Sequence, residues 1–91
     1  MPKPALAPLE LVEVCKDRLD AIRLCVQLSR LSNEVICERL GIDPGHFTRM
    51  MQGRAWFPDS KSVLLMQVCG NYAPLQYEAM ACGFELYESA R

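Results

Sequence analysis

Apolar residues return every third or fourth position at Leu9, Val12, Cys15, Leu19, Ile22 and Val26. That spacing predicts one amphipathic helix over about 9–28, with Pro8 suited to its first position. Glu10 and Glu13 near its start and Arg30 just past its end agree with the helix macrodipole. Ser32 then offers an N-cap for a short second stripe, Val35, Ile36 and Leu40, which stops at Gly41. Glycine there accepts the positive φ that ends a helix, so a helix is predicted over about 33–40. Asp43 is a further N-cap, Pro44 fits the position after it, and Phe47, Met50 and Met51 supply inward contacts up to Gln52-Gly53. A helix over 44–51 follows.

The run from Gly53 to Pro58 reads as a loop. Asp59 or Ser60 can open a fourth helix carrying Val63, Leu64, Met66 and Val68 as far as Gly70. Pro74 opens a fifth, with Leu75, Ala79 and Met80 as its inner face before Gly83. The adjacent aromatics Trp56 and Phe57 are expected to close the core beneath the loop, and the apolar tail Phe84-Glu85-Leu86-Tyr87 to dock on the body or on a second copy. No alternating pattern suggests a strand, and no repeat or linker divides the chain. The expectation is an all-α compact bundle of about five helices forming one domain, residues 1–91.

The two short helices are joined through Leu40-Gly41-Ile42-Asp43, which supplies a glycine for the bend, an apolar residue in the turn and a cap for the next helix. These are the requirements of a helix-turn-helix, here over about 32–52. The ungapped run from Leu31 to Gly53 resembles the helix-turn-helix of the lambda-repressor-like (Cro/XRE-type) DNA-binding family, and the likeness continues over about residues 17–70. Residues 71–91, especially Ala73-Pro74-Leu75-Gln76-Tyr77, look like the ends of small XRE-type proteins of phages and prophages.

The resemblance implies that the helix over 44–51 enters the major groove, where each base pair presents its own pattern of donors and acceptors. By helical spacing Gly45, His46, Thr48, Arg49 and Gln52 point away from the Phe47 and Met50 side. Arg49 matches a base-contacting position of the family, with His46, Thr48 and Gly45 beside it, and its guanidinium could grip guanine O6 and N7 together. Asn33, Gln52 and Arg54 match positions that contact phosphate, and the helix starts at 33 and 44 are expected phosphate sites. Family members carry glutamine or another polar residue where this chain has Pro44 and Gly45. Neither can donate or accept through a side chain, so a narrower direct readout is expected. The implied partner is double-stranded DNA, bound by a homodimer whose contact surface uses Tyr77, Phe84, Leu86 and Tyr87 of the fifth helix and tail.

Charge qualifies this picture. Net charge is -1, whereas DNA-binding domains are commonly basic because each neutralised phosphate releases counterions. Between residues 30 and 61 five cations, Arg30, Arg39, Arg49, Arg54 and Lys61, face four carboxylates, while acidity collects in the last thirty residues at Glu78, Glu85 and Glu88. Arg39, beside Glu38, reads as a solvated surface residue. The loop that is rich in Lys or Arg in family members holds Trp56, Phe57 and Asp59 here, so affinity for nonspecific DNA should be modest. A protein-interaction module that keeps the helix-turn-helix frame without sequence-specific DNA binding is the alternative, favoured by the acidic balance, Pro44-Gly45 and the apolar loop.

Composition narrows the chemistry. Hydrophobic residues at 51% and charged residues at 23% describe an ordinary globular chain. The five cysteines, Cys15, Cys25, Cys37, Cys69 and Cys82, contain no CxxC pair and are expected to be reduced core residues, and the single histidine, His46, lies more than eight residues from any of them. No metal and no cofactor is expected. The sequence has no glycine-rich phosphate cradle, no nucleophile elbow and no carboxylate pair off the solvated helix faces, so no enzyme is expected either. No apolar run reaches the roughly 18 residues of a membrane span, and the start of the chain lacks the apolar core of a signal peptide, which predicts a cytoplasmic protein. No small-molecule ligand is expected.

Overall fold

The apolar stripe that begins at Leu9 is split between two helices. In the computed structural model, which describes residues 3–89, the chain forms α1 (Leu9–Glu13) and then α2 (Arg18–Ser29). The break has a capping cause. Asp17 adopts an extended backbone and its side chain accepts from the backbone N–H of Asp20 at 2.9 Å, while the Asp20 carboxylate accepts from the N–H of Lys16 at 3.0 Å. Two aspartates three apart satisfy the free N–H groups of a new helix start, which the three-to-four spacing of the apolar residues does not reveal.

The remaining elements are α3 (Asn33–Leu40), α4 (Pro44–Met51), a 3-10 turn over Asp59–Lys61, α5 (Ser62–Cys69) and α6 (Ala73–Ala81). The protein is thus an all-α bundle, with six helices and no strand among the described residues. Met1, Pro2, Ala90 and Arg91, which the sequence reading places in the same single domain, lie outside the described residues.

α2 lies against α5 and α6, α3 packs on α5 and α4, and α1 folds back on α6. Phe47, Ile36, Leu40, Met50, Leu65, Val12 and Cys25 are the largest fully buried side chains, so one core joins five of the helices. The segment before α1 is tied in by backbone bonds from Ala5 N–H to the Gly70 carbonyl and from Tyr72 N–H to the Ala5 carbonyl, both 3.1 Å. Beside it Gln76, only 5% exposed, accepts from Ala7 N–H at 2.8 Å and donates to the Ala7 carbonyl at 3.0 Å. Buried Asn71 donates to the Cys25 carbonyl at 3.0 Å and accepts from Ala73 N–H at 3.2 Å. Among the described residues no buried side-chain nitrogen or oxygen lacks a partner, as a well-packed interior requires.

Several inward assignments change. Trp56 is 90% exposed whereas Phe57 is 5% exposed, so one aromatic of the pair closes the core and the other projects outward. Val63 is exposed and Leu65 takes its place inside α5. In α6 the buried positions are Ala73, Pro74 and Gln76, while Leu75 is exposed. Its inner face is shaped by the N-terminal segment as well as by α2, and that segment requires the amide of Gln76. Cys25, Cys37 and Cys69 are buried as expected, but Cys15 is half-buried and Cys82 exposed at the end of α6. Tyr77 is half-buried against the core and donates its hydroxyl to the Lys16 carbonyl at 3.3 Å.

Candidate nucleic-acid interface

α3 and α4 are each set by local chemistry. Ser32 Oγ accepts from Val35 N–H at 3.3 Å, and Asp43 Oδ2 accepts from His46 N–H at 3.1 Å. Both helices close in the same way. Gly41 (φ 69°) and Gly53 (φ 78°) turn left-handed, and the next residue bonds back five positions, Ile42 N–H to the Cys37 carbonyl at 3.0 Å and Arg54 N–H to the Arg49 carbonyl at 2.8 Å. This is the glycine-terminated motif that satisfies the last carbonyls of a helix. At Gly53 a Cβ would also stand 3.3 Å from Leu19 Cδ2.

Longer-range cations hold the two helix ends. Arg23 of α2 donates from Nε to the Met51 carbonyl at 2.7 Å, and Lys61 Nζ donates to the Leu40 carbonyl at 2.6 Å. Positive groups at helix C-termini are favoured by the macrodipole and by the unpaired carbonyls there. Arg18 donates to the Phe57 carbonyl at 3.4 Å and meets Asp59 at 2.7 Å, which shapes the loop. Three of the chain's cations therefore do structural work. The sequence reading missed Arg23, and no local signal marks it, because its partner lies 28 residues away.

α4 is two-faced. Phe47 and Met50 are buried, and Pro44, Gly45, His46, Thr48 and Arg49 are exposed along the other side. Three of the four base-reading candidates are brought together. Arg49 Nη2 lies 3.4 Å from His46 Nδ1, and a Cβ placed on Gly45 would stand 3.7 Å from Arg49 Nη1. Thr48 donates its hydroxyl proton to the Pro44 carbonyl at 3.0 Å, which leaves its oxygen as an acceptor facing out.

The three phosphate candidates form two groups. Gln52, the residue that ends α4, accepts from Arg54 Nη1 at 3.5 Å, and both are exposed. Asn33 is exposed at the first position of α3, and no hydrogen bond joins it to Gln52 or Arg54. The two helix starts differ in their caps. α3 is capped by the neutral Ser32, whereas the carboxylate of Asp43 already meets the positive end of α4. Glu34 in the first turn of α3 places a carboxylate near that start as well, so an incoming phosphate meets negative charge at both.

Next to this face the structure places a groove of about 280 Å³ lined by Arg18, Leu19, Ile22, Ala55, Phe57 and the projecting Trp56. The cysteines offer no chemistry at the surface of α4. Contact with Cys69 and burial push the Cys25 thiol well above its ordinary value, and burial, reinforced by Asp43, raises Cys37. Among the described residues no group of three or more His, Cys, Asp or Glu is placed to hold a metal, and no helix is long and apolar enough to cross a membrane.

Comparison of the chain with protein-family models, with curated proteins and with solved structures found no match.

Proposed function

We propose that the protein is a sequence-specific double-stranded DNA-binding transcriptional regulator of phage or prophage type, related to the lambda-repressor-like group, that lays α4 in the major groove. The observation that carries this reading is the exposed side of α4. His46, Thr48 and Arg49 stand on it with no apolar residue between them, on a helix anchored from behind by Phe47 and Met50. A helix with its side chains is about 10–12 Å across, which suits a groove about 12 Å wide. α3 and α4, joined by three residues, are the helix-turn-helix in this reading.

The roles divide by chemistry. Arg49 donates to a guanine edge, Thr48 offers an acceptor and a methyl group, and His46 adds a ring at the same edge. Gln52 and Arg54 grip phosphate where the chain leaves α4, and Asn33 does so at the start of α3. These contacts fix register, while Arg49 specifies sequence. The protein acts as a homodimer, since one short helix reads only a few base pairs. Phe84 and Tyr87, exposed together with Leu75, supply the contact.

Selection from random duplexes at physiological salt tests the proposal. Enrichment of a two-fold-related site is the expected result, and recovery of unselected sequence refutes it. Sedimentation at high micromolar concentration checks the dimer, and a monomer with and without DNA refutes it.

A second reading has its own observation. Trp56, 90% exposed above an apolar groove, is the kind of residue that anchors a protein partner. In that reading the chain is an interaction module on the same frame, and the selection experiment returns nothing. As Trp56 is the chain's single tryptophan, its fluorescence reports directly on occupation of that groove.

A further inference from the structure

Glycine weakens a helix relative to alanine, so a glycine inside the first turn of α4 has a cost that something else must justify. Backbone conformation is not the reason, because Gly45 is absent from the positive-φ glycines of the chain, Gly41, Gly53, Gly70 and Gly83. A Cβ on Gly45 would stand 3.1 Å from Asp43 Oδ2, a tight contact, and 3.7 Å from Arg49 Nη1, an ordinary one, so a side chain longer than a methyl group is what would meet the guanidinium. Residues 45 and 49 are one helical turn apart and share a face, and a long side chain on a helix leans toward the N-terminus. The guanidinium of Arg49 therefore lies back over the bare backbone at Gly45. His46 Nδ1 meets its other terminal nitrogen at 3.4 Å, and the Asp43 carboxylate borders the same space.

We infer that Gly45 and His46 are positioning residues that seat the Arg49 guanidinium over the first turn of α4, so that base reading is concentrated in one arginine aimed at one guanine. This rests on the DNA-binding reading above. Gly45 then acts through Arg49 and makes no base contact of its own. Arginine has only donors, so the contact requires His46 Nδ1 to carry a free lone pair, which assigns the ring proton to Nε2. A seated guanidinium loses less freedom when it grips O6 and N7 together than one that wanders in solvent. The absence of a polar side chain at Gly45 is in this account the condition for the arginine's placement.

The test compares the full chain with Arg49→Ala, Gly45→Leu and His46→Ala by selection on random duplexes at fixed salt, with thermal melting as the control for folding. Wild-type protein is expected to enrich a site with a guanine at one position of each half. Arg49→Ala should remove the preference at that base pair, on the order of tenfold. Gly45→Leu should weaken or move the preference at the same base pair while the salt slope of nonspecific binding stays constant, because no cation is lost. Should Gly45→Leu fail to fold, His46→Ala carries the comparison, with a partial loss at the same position expected. Wild-type enrichment that Gly45→Leu and His46→Ala both leave unaltered overturns the seat and leaves DNA binding standing. No enrichment by the wild type overturns both. In the free protein, nitrogen NMR shifts of His46 that do not respond to Arg49→Ala overturn the seat without reference to DNA.

Discussion

Replacing Gln76 by alanine should unfasten the N-terminal segment from α6. The side chain makes two hydrogen bonds to one residue, accepting from Ala7 N–H at 2.8 Å and donating to its carbonyl at 3.0 Å, and Gln76 and Ala7 are 5% and 6% exposed. Removing the amide leaves a buried donor and a buried acceptor unpaired, each at a cost of about 1–3 kcal/mol. A cavity of about 80 Å³ already borders Gln76, and water entering the enlarged space would satisfy part of that demand. The net loss should be about 2–4 kcal/mol. In a domain of this size each kcal/mol lowers Tm by about 4–8 °C, so thermal unfolding should move down by at least about 8 °C.

Gln76→Glu sharpens the test. A protonated carboxyl can accept from Ala7 N–H and donate to the Ala7 carbonyl, whereas the ionised form points an oxygen at that carbonyl with nothing to donate. Burial and this contact raise the folded pKa of the introduced group above its unfolded value of about 4.3. Its stability is then fully present below about pH 4 and lost as pH rises through the raised value. Melting curves from pH 4 to pH 7 check this. A Gln76→Ala variant within about 0.5 kcal/mol of wild type, or a Gln76→Glu variant with the pH dependence of wild type, refutes the reasoning.

Arg23→Ala should cost about 1 kcal/mol, the usual net value of one hydrogen bond, since the side chain that holds the Met51 carbonyl is exposed. Amide exchange should quicken at Gly53 and Arg54, and unchanged exchange there refutes the clamp. Arg54→Ala should weaken binding to all duplexes alike and lower the salt slope by about one, in contrast to the single-position effect of Arg49→Ala; equal behaviour of the two variants in salt titrations refutes the division of roles. Stability should be full below about pH 9 and fall above it, because burial and Asp43 raise the folded pKa of Cys37 above the 9.0 of the free thiol. Urea melts at pH 8 and pH 10 should show the decline, and Cys37→Ala should flatten it; a decline of the same slope in that variant refutes the assignment.

The short helices were legible because everything that defines them is local. Ser32 and Asp43 cap within one turn, Gly41 and Gly53 end a helix by a left-handed φ, and the Phe47 and Met50 spacing tells the buried side of α4 from the exposed one. The candidate face, from Gly45 to Arg49, is therefore written in the local sequence. The break at Asp17 was also written locally, as two aspartates three apart, but the apolar period runs through it unbroken and masks the new start.

What only tertiary structure decided is which groups meet across long stretches of chain, and which of two adjacent residues turns inward. Trp56 and Phe57 are both large and apolar, and neither propensity nor period separates them. The path of the loop over α2, held by Arg18 at the Phe57 carbonyl, buries one and extrudes the other. Arg23 with Met51, Asn71 with Cys25 and Gln76 with Ala7 lie 28, 46 and 69 residues apart. A polar side chain in a sequence carries no mark of the backbone group it will satisfy, because that partner is left unpaired only when the helices have already packed.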